Sequence, residues 1–239
     1  TLFRSIGNEN LGGHVGIGHT RWATHGAPSD VNSHPHMSND NRIALVHNGT
    51  VENYVEIREQ LEKEGFTFKS DTDSEVAAVL FGKYYNELGD LKATMDKVTH
   101  EMTGTFALAA IAEDQPEKFV AYRKNAPLIV GKGNGCNFVA SDFSALLKYT
   151  KDVYLLETGD TVVLTPDNVT IYDESGKEIK RETMHISWDE SVAEKGKYEH
   201  FMLKEIFDQP KAIEETLDRN LSDGGRVSLY DMTLTKEDF

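Results

Sequence analysis

The stretch from His19 to Gly26 contains the residues best suited to binding a charged ligand. It reads His-Thr-Arg-Trp-Ala-Thr-His-Gly, with Arg21 directly before Trp22. A guanidinium can bind a carboxylate through two parallel hydrogen bonds, and an adjacent indole can exclude water from them. Residue types alone favour a different interpretation, a surface arginine packed on a core tryptophan, because such stacking is common.

A second candidate is His47-Asn48-Gly49, which follows the apolar residues 43–46. An Asn-Gly pair after a strand first of all predicts a turn. The functional alternative is an oxyanion hole, in which the Asn48 side-chain amide and the Gly49 N–H group point at one developing negative charge. The chemistry of the residues alone favours the turn.

Hydroxyl and acidic residues alternate at positions 70–73, which read Ser-Asp-Thr-Asp and precede a predicted helix. N-capping and the favourable alignment of acids with the helix dipole explain them fully. The alternative is that one of these carboxylates faces a pocket and holds the ammonium group of a substrate.

Six of the nine histidines lie between positions 14 and 47, among them His34 and His36 on either side of a proline. Their spacing matches no closed zinc pattern, and the single cysteine, Cys136, is distant in sequence. We therefore expect no metal site. Cys136 enters a predicted strand with no recognisable base beside it, so we expect an incidental small residue and not a catalytic thiol.

The composition limits the class of protein. The chain has 239 residues, of which 38% are hydrophobic and 27% charged, as is typical of a globular protein with its own core. The net charge of −15 argues against nonspecific binding to nucleic acid or to an anionic membrane. No apolar run has the length of a membrane-spanning helix. A single cysteine rules out an internal disulfide, and no basic-then-apolar leader opens the chain, so we expect a cytoplasmic protein.

Hydrophobic periodicity predicts helices in one block and strands in another. Spacings of three and four predict helices at about 52–65, from residue 72 onward and at 91–102, and Thr72 with Glu75 fits a capping box. Helices gathered in one block, followed by strands that pair nonlocally, predict an α+β fold with helices packed on sheets. A short helix at 144–149 and a helical last forty residues complete the pattern. Strands are predicted at 15–17, 43–46, 106–111, 119–123, 128–130, 137–140, 153–155, 161–164 and 169–172.

Taken together, the motifs are more specific than any one of them alone. They are GHTRWATHG at 18–26, HPH at 34–36, VHNG at 46–49 followed by Glu52-Asn53, SDTD at 70–73, ASD at 140–142 and MLKEIFDQP at 202–210. In this order and spacing the chain resembles the glutaminase domain of the glutamine–fructose-6-phosphate aminotransferases (isomerizing). These are class II glutamine amidotransferases of the N-terminal-nucleophile hydrolase type. The resemblance covers nearly the whole chain apart from its first few residues.

The resemblance implies a four-layer αββα sandwich, here lacking its N-terminal strand segment. It implies that Arg21 grips the α-carboxylate of L-glutamine, that Asp73 holds the α-ammonium group and that His34 lines the same pocket. It also implies that Asn48 and the Gly49 amide form the oxyanion hole.

Further residues and partners follow from the same resemblance. Trp22, Thr24 and His25 would shape a loop at 21–29 that closes over the substrate. No cofactor is implied. Fructose 6-phosphate would bind only through a sugar-isomerase domain that this chain lacks, and the full-length enzyme would be a homodimer.

The nucleophile of this family is a cysteine at the mature N-terminus, whose own α-amino group is the general base. Residue 1 here is Thr1, and its neighbours do not resemble the family's opening. We therefore expect an incomplete gene product that is inactive alone and, lacking a central strand, of reduced stability. Residues 1–187 would be the N-terminally incomplete glutaminase domain, and residues 188–239 a linker and the start of the isomerase domain. The rival interpretations are a noncatalytic amino-acid- or metal-binding module and another class II amidotransferase.

Overall fold

The computed structural model describes residues 13–21, 26–187, 195–221 and 227. The chain divides into two compact units, Thr1–Ser187 and Trp188–Phe239. The identity of these units as a glutaminase domain and the start of an isomerase domain stays a prediction.

Two antiparallel sheets form the framework of the first unit. Their strands are β1 (His36–Met37), β2 (Ile43–Val51), β3 (Gly104–Ala112), β4 (Phe119–Lys124), β5 (Ile129–Lys132), β6 (Asn137–Ala140), β7 (Asp152–Leu155), β8 (Thr161–Leu164), β9 (Val169–Tyr172), β10 (Glu178–Ile179) and β11 (Met184–His185). The larger sheet has the order β1-β2-β3-β4-β8-β9-β10, and the smaller one has the order β11-β7-β5-β6.

Three helices pack on one face of the larger sheet. They are α1 (Tyr54–Lys63), α2 (Asp73–Leu88) and α3 (Leu91–Glu101). The Thr72 hydroxyl accepts the Glu75 N–H at the start of α2, and the Asp90 carboxylate caps α3 in the same way. Ile57 and Leu61 are the buried residues of α1. The apolar faces of the helices form one cluster with residues of β2, β3 and β4.

A second apolar cluster fills the space between the two sheets, with Ala107 on the larger sheet and Val130 on the smaller one among its members. Next to Val130, a Cβ atom placed on Gly131 would lie 3.2 Å from Leu146, which follows the 3₁₀ turn Phe143–Ala145. Neighbouring strand residues point to opposite faces, so this turn covers the outside of the smaller sheet. The layers are therefore helix, sheet, sheet and a single helical turn, and the predicted αββα sandwich is confirmed.

Several local predictions are wrong. No strand is present at 15–17 within the described residues 13–21. The turn predicted at Asn48-Gly49 is absent as well, because β2 continues to Val51 and pairs with β3 along its whole length. A nine-residue neighbouring strand thus overrides the local turn preference of an Asn-Gly pair. The helix predicted at 144–149 is shorter and begins one residue earlier, and the two-residue strands β1, β10 and β11 are too short to leave a period in the sequence.

The described part of the second unit contains the predicted helix, α4 (Phe201–Asn220), with Pro210 inside it. Its apolar residues, including Ile206, Ile213 and Leu217, are exposed. Among the described residues, no helix combines the length and apolar character needed to cross a membrane.

Candidate functional site

Asn48 lies within β2 on the wall of a cavity between the two sheets. Strand alternation turns Val46 and Asn48 toward the smaller sheet, and Leu45 and His47 toward the helices. The cavity has a volume of about 730 Å³ and is lined mostly by apolar residues, with Asn48 among its polar ones. Asn48 pairs with Ala107 of β3, so the register of these two strands sets its position.

Gly49 follows Asn48 at a point where β3 comes very close. Its φ is +110°, and a Cβ atom there would lie 2.1 Å from the carbonyl oxygen of Thr105. Only glycine fits this conformation and this approach. The Asn-Gly pair therefore has a structural reason in the sheet, and its role in binding an anion stays a prediction.

His19 joins Asn48 to the segment that carries Arg21. The His19 Nε2 and Asn48 Oδ1 atoms are 2.6 Å apart, although 29 residues separate them in sequence. The Arg21 backbone N–H donates to His19 Nδ1 at 2.9 Å. The residue predicted to grip a carboxylate and the residue predicted to bind an oxyanion are thus linked through one imidazole.

The Arg21 side chain turns toward the backbone of the loop that follows it. Its guanidinium donates to the carbonyl oxygens of Gly26 at 3.3 Å and Ala27 at 3.2 Å. Its backbone has a φ of +45°, which is unusual for a residue other than glycine. Asn32, which is buried, donates to the same Ala27 carbonyl and accepts the Asp71 N–H. Asn32 therefore connects the loop around Arg21 to the segment before Asp73.

Asp73 is 3% exposed, and its carboxylate is directed at β2. One oxygen accepts the Val51 N–H at 2.9 Å, and the other lies 3.4 Å from Ser74 Oγ and 3.9 Å from His47 Nδ1. Thr72 caps α2 and Asp73 lies in its first turn, so the predicted capping and the predicted alignment of an acid with the helix dipole are confirmed for this segment. The Asp73 carboxylate also accepts a strand amide and lies close to His47.

The predicted capping box at the start of α2 is only half formed. The buried Glu75 carboxylate does not return to Thr72 but accepts the backbone N–H groups of Lys69 and Ser70. The Thr72 N–H donates to Ser70 Oγ. Glu75 thereby holds the segment that leads into Asp73, which explains why an acid is buried here.

Four histidines form a cluster beside Asp73, and we define the histidine cluster as His19, His34, His36 and His47. The rings of His34 and His19 stack at 4.3 Å between centroids, and those of His34 and His36 lie 5.1 Å apart. The His47 N–H donates to His34 Nδ1 at 3.3 Å. Burial lowers the pKa of His34 to about 3, helped by the positive charge that its histidine neighbours and Arg21 can carry.

Arg21 and Asp73 both act on His36, which is buried and 3.1 Å from Thr72 Oγ1 through its Nε2 atom. Burial lowers the pKa of His36; the charge of Arg21 lowers it further, while those of Glu75 and Asp73 oppose this. The guanidinium and the carboxylate predicted to bind the two charged ends of an amino acid thus act on the same imidazole.

Among the described residues, no three His, Cys, Asp or Glu side chains are arranged to hold a metal ion. The histidine cluster is instead engaged in ring stacking and hydrogen bonds. Cys136 is exposed, ahead of β6, and its Sγ lies 3.8 Å from the carbonyl oxygen of Asn134.

Three of the predicted site residues, Trp22, Thr24 and His25, lie outside the described residues. Their place in a closing loop stays a prediction. Sequence reasoning did not select His19 or Asn32, although His19 opens one motif and Asn32 stands two positions before another. Their places in or near the motifs mark both residues as candidates. Their contacts could not be predicted, because the partners of both side chains are distant in sequence.

Several known proteins are similar to this chain in sequence. Residues 8–180 match the family model described as a glutamine amidotransferase domain. The "glutamine–fructose-6-phosphate aminotransferase [isomerizing]" of Clostridium perfringens is 52% identical over 96% of this chain and 38% of the relative. The protein of the same name from Aquifex aeolicus is 47% identical over 92% of this chain and 37% of the relative. The chain therefore spans well under half the length of these relatives.

Solved structures are similar to this chain in fold, and one of them is that of a glutamine phosphoribosylpyrophosphate amidotransferase from B. subtilis complexed with ADP and GMP. The TM-score is 0.54 at 22% sequence identity, and the match covers 67% of this chain and 35% of that one.

Proposed function

Because this chain belongs to the glutamine amidotransferase domain family, we propose that it is the glutamine-hydrolysing part of a glutamine–fructose-6-phosphate aminotransferase. The resemblance drawn from the motifs is confirmed at the level of the family. The relatives that carry the full name support the finer proposal, with 52% identity in one case. Fructose 6-phosphate would be bound by a part of such an enzyme outside the region matched here.

The observation that carries the proposal is the continuous cluster that links the predicted ligand-binding groups. The Arg21 backbone N–H donates to His19, whose Nε2 lies 2.6 Å from Asn48. The His19 ring stacks on His34, and His34 accepts the backbone N–H of His47, whose Nδ1 lies 3.9 Å from the Asp73 carboxylate. A guanidinium, a buried carboxylate and a carboxamide are the groups needed for the α-carboxylate, the α-ammonium and the γ-amide of L-glutamine.

His34 contributes to this site by remaining neutral. With its pKa lowered to about 3, the imidazole carries no charge at neutral pH. A neutral ring in this cluster adds no positive charge that would repel the ammonium group of an amino acid held by Asp73.

In the reaction that the resemblance implies, the thiol of an N-terminal cysteine, which is not among the 239 residues, gives its proton to its own α-amino group and attacks the γ-amide carbon of L-glutamine. The same α-ammonium group supplies the proton that the leaving nitrogen takes. The resulting oxyanion accepts hydrogen bonds from Asn48 Nδ2 and the Gly49 N–H, which stabilise the negative charge as it develops. The C–N bond then breaks as the nitrogen takes a proton, and ammonia leaves a γ-glutamyl thioester. Water hydrolyses this thioester to L-glutamate and restores the thiol.

Calorimetric titration with L-glutamine and L-glutamate tests the binding site. We expect both to bind, and we expect Arg21→Ala to weaken binding by about tenfold or more, because a charge-assisted bond contributes about 1.5–3 kcal/mol. Arg42→Ala is the matched control, since Arg42 pairs with Asp114 at an exposed position. Equal affinity in the unchanged protein and Arg21→Ala, or no binding at all, would contradict the proposal.

Release of ammonia tests the identity of the nucleophile. Cys136 is the one cysteine among the 239 residues, and it lies inside the sequence, so it has no free α-amino group of its own. We predict that the chain as given binds glutamine but releases no measurable ammonia. Ammonia release abolished by Cys136→Ala would identify Cys136 as the nucleophile. Release that survives this change and requires Thr1 would identify the threonine. Either result refutes the prediction.

A cytoplasmic location and a homodimeric full-length enzyme remain part of this proposal. Trp22, Thr24 and His25 are included as residues of the closing loop on the strength of the resemblance alone.

A further inference from the structure

We propose that His19 is a positioning residue that orients the Asn48 carboxamide, so that its Nδ2–H₂ group and not its oxygen is presented to a bound anion. This inference rests on the proposed function, because it concerns the same site. It adds to the site a residue that does not itself touch the substrate.

The tautomer of His19 follows from its two hydrogen bonds. The Arg21 backbone N–H can only donate, so His19 Nδ1, 2.9 Å away, must offer a lone pair. In a neutral imidazole the proton then resides on Nε2. Nε2 lies 2.6 Å from Asn48 Oδ1 and donates to it.

This donation selects one of the two orientations of the carboxamide. With the oxygen turned to His19, the Nδ2 group is directed away from the ring, and no described residue accepts a hydrogen bond from it. A flipped amide would point an N–H group of Asn48 Nδ2 at the N–H group of His19 Nε2. It would also present the amide oxygen to the anion. Both consequences are unfavourable, because a donor loses its acceptor and an oxygen lone pair repels negative charge.

The His19 ring is held in place independently of these two bonds. It stacks on His34 with 4.3 Å between centroids and 21° between planes. His34 is itself fixed by the His47 N–H, which belongs to the same strand as Asn48. The imidazole is therefore clamped between the Arg21 backbone, the His34 ring and the Asn48 side chain, which is the kind of support that a precisely oriented group requires.

Two ligands separate this role from general loss of the pocket. L-glutamate and L-norvaline share the α-carboxylate and the α-ammonium, but only L-glutamate has a terminal anion for the Asn48 amide. Calorimetry on the 239-residue chain should show tighter binding of L-glutamate. We expect His19→Ala to weaken the binding of L-glutamate by about tenfold, the size expected for one hydrogen bond to a charged group. The binding of L-norvaline should weaken by clearly less, because this ligand is affected only by the lost contact with the Arg21 backbone.

Two further variants complete the test. His19→Gln can place an N–H group near Asn48 Oδ1 and should recover most of the lost affinity, whereas a purely structural role would not be restored by the donor alone. His185→Ala changes an exposed histidine of β11 and should not alter either affinity. A loss of L-norvaline binding in His19→Ala equal to that of L-glutamate, or no loss of either, would overturn the inference while the proposed function stands.

Nitrogen-15 NMR of the histidine rings tests the starting point directly. We expect the spectrum of the free protein to show His19 protonated at Nε2 and not at Nδ1. The opposite tautomer would overturn the inference whatever the binding data. If the unchanged protein binds neither amino acid, the proposed function fails, and this inference fails with it.

Discussion

Asp73 serves the fold and the proposed site with the same carboxylate. It occupies the first turn of α2, where a negative charge is favourable, and one of its oxygens accepts the Val51 N–H of β2. Because Thr72 caps the helix, the charge of Asp73 is not needed for capping. A buried charge retained beside the histidine cluster is more readily explained by a cationic ligand.

Replacing Asp73 by asparagine separates these two roles. Asp73→Asn keeps an oxygen for Val51 but removes the charge, so we expect L-glutamate affinity to fall by about tenfold or more. We expect the free energy of unfolding to change by only about 1 kcal/mol. Asp73→Ala removes both contacts and should lower that free energy by about 1–3 kcal/mol. Calorimetry and urea unfolding measure the two quantities, and unchanged affinity in Asp73→Asn would count against its proposed role.

The pKa of His34 predicts how stability depends on pH. Its pKa is lowered to about 3 in the folded protein, whereas an unfolded histidine titrates near 6.5. Between these values the unfolded chain binds a proton that the folded chain does not, so folding stability falls as the pH drops below about 6.5. One group contributes at most about 1.4 kcal/mol per pH unit.

The variant His34→Asn tests this dependence. Its side-chain oxygen can accept the His47 N–H, but it does not titrate. Urea unfolding at pH 7.5 and pH 5 should therefore show a smaller loss of stability for His34→Asn than for the unchanged protein. His185→Asn, at an exposed position, should lose as much as the unchanged protein does. Equal losses in all three proteins would mean that His34 is not kept neutral by the fold.

At the scale of elements, the register between β2 and β3 determines the position of Asn48 in the candidate site. Nine residue pairs, from Ile43 with Ala112 to Val51 with Gly104, fix where Asn48 lies along the cavity. β3 comes so close at Gly49 that a Cβ atom would not fit, so this residue belongs to the pairing as much as to the proposed anion site.

Gly49→Ala should be severely destabilising for this reason. The added Cβ would lie 2.1 Å from a backbone oxygen that cannot move without shifting β3. We expect a loss of about 3 kcal/mol or more in the free energy of unfolding. Gly65→Ala is the matched control, because Gly65 also has positive φ, +95°, but open space around it. Its cost should be about 1 kcal/mol. Similar losses for the two variants would show that the strands separate easily at this point.

Asn32 links the loop that contains Ala27 to the segment just before α2. Its buried amide donates to the Ala27 carbonyl and accepts the Asp71 N–H. We expect Asn32→Ala to lower the free energy of unfolding by about 1–3 kcal/mol, since it leaves backbone groups without partners. Asn39 makes a comparable pair of bonds to Thr67 at an exposed position, so Asn39→Ala should cost less. Denaturant unfolding compares the two, and a larger effect at Asn39 would contradict this argument.

At the scale of the whole molecule, the apolar clusters lie within the first unit. Their buried members fall between Ile43 and Ile171. C-terminal to this range, Arg181 donates two hydrogen bonds to the buried Asp160 and so attaches its segment to the first unit. We therefore expect the first unit to require residues up to 187, but not the α4 helix, in order to fold.

Two truncations test this division. We expect residues 1–187 to unfold with the same midpoint as the first unit of the full chain. Residues 1–175 should be less stable by about 3 kcal/mol or more, because Asp160 is left buried without Arg181. Near-ultraviolet circular dichroism during urea unfolding follows both. Failure of residues 1–187 to fold would show that the first unit depends on the second.

Local sequence was enough to predict the family, the order of most helices and strands, and the residue types of the candidate site. Motifs and periodicity are local properties, and the groups proposed to bind glutamine, Arg21 and Asp73, stand in motifs that can be recognised in the sequence. The strand at Asn48 could not be predicted in this way, because an Asn-Gly pair prefers a turn unless a distant strand pairs with it. The contact of His19 with Asn48 and that of Asp73 with Val51 depend equally on partners more than twenty residues away. Such partners meet only after the strands have found their register, a nonlocal event whose energy lies in packing and hydrogen bonds between segments and not in the preferences of any one of them.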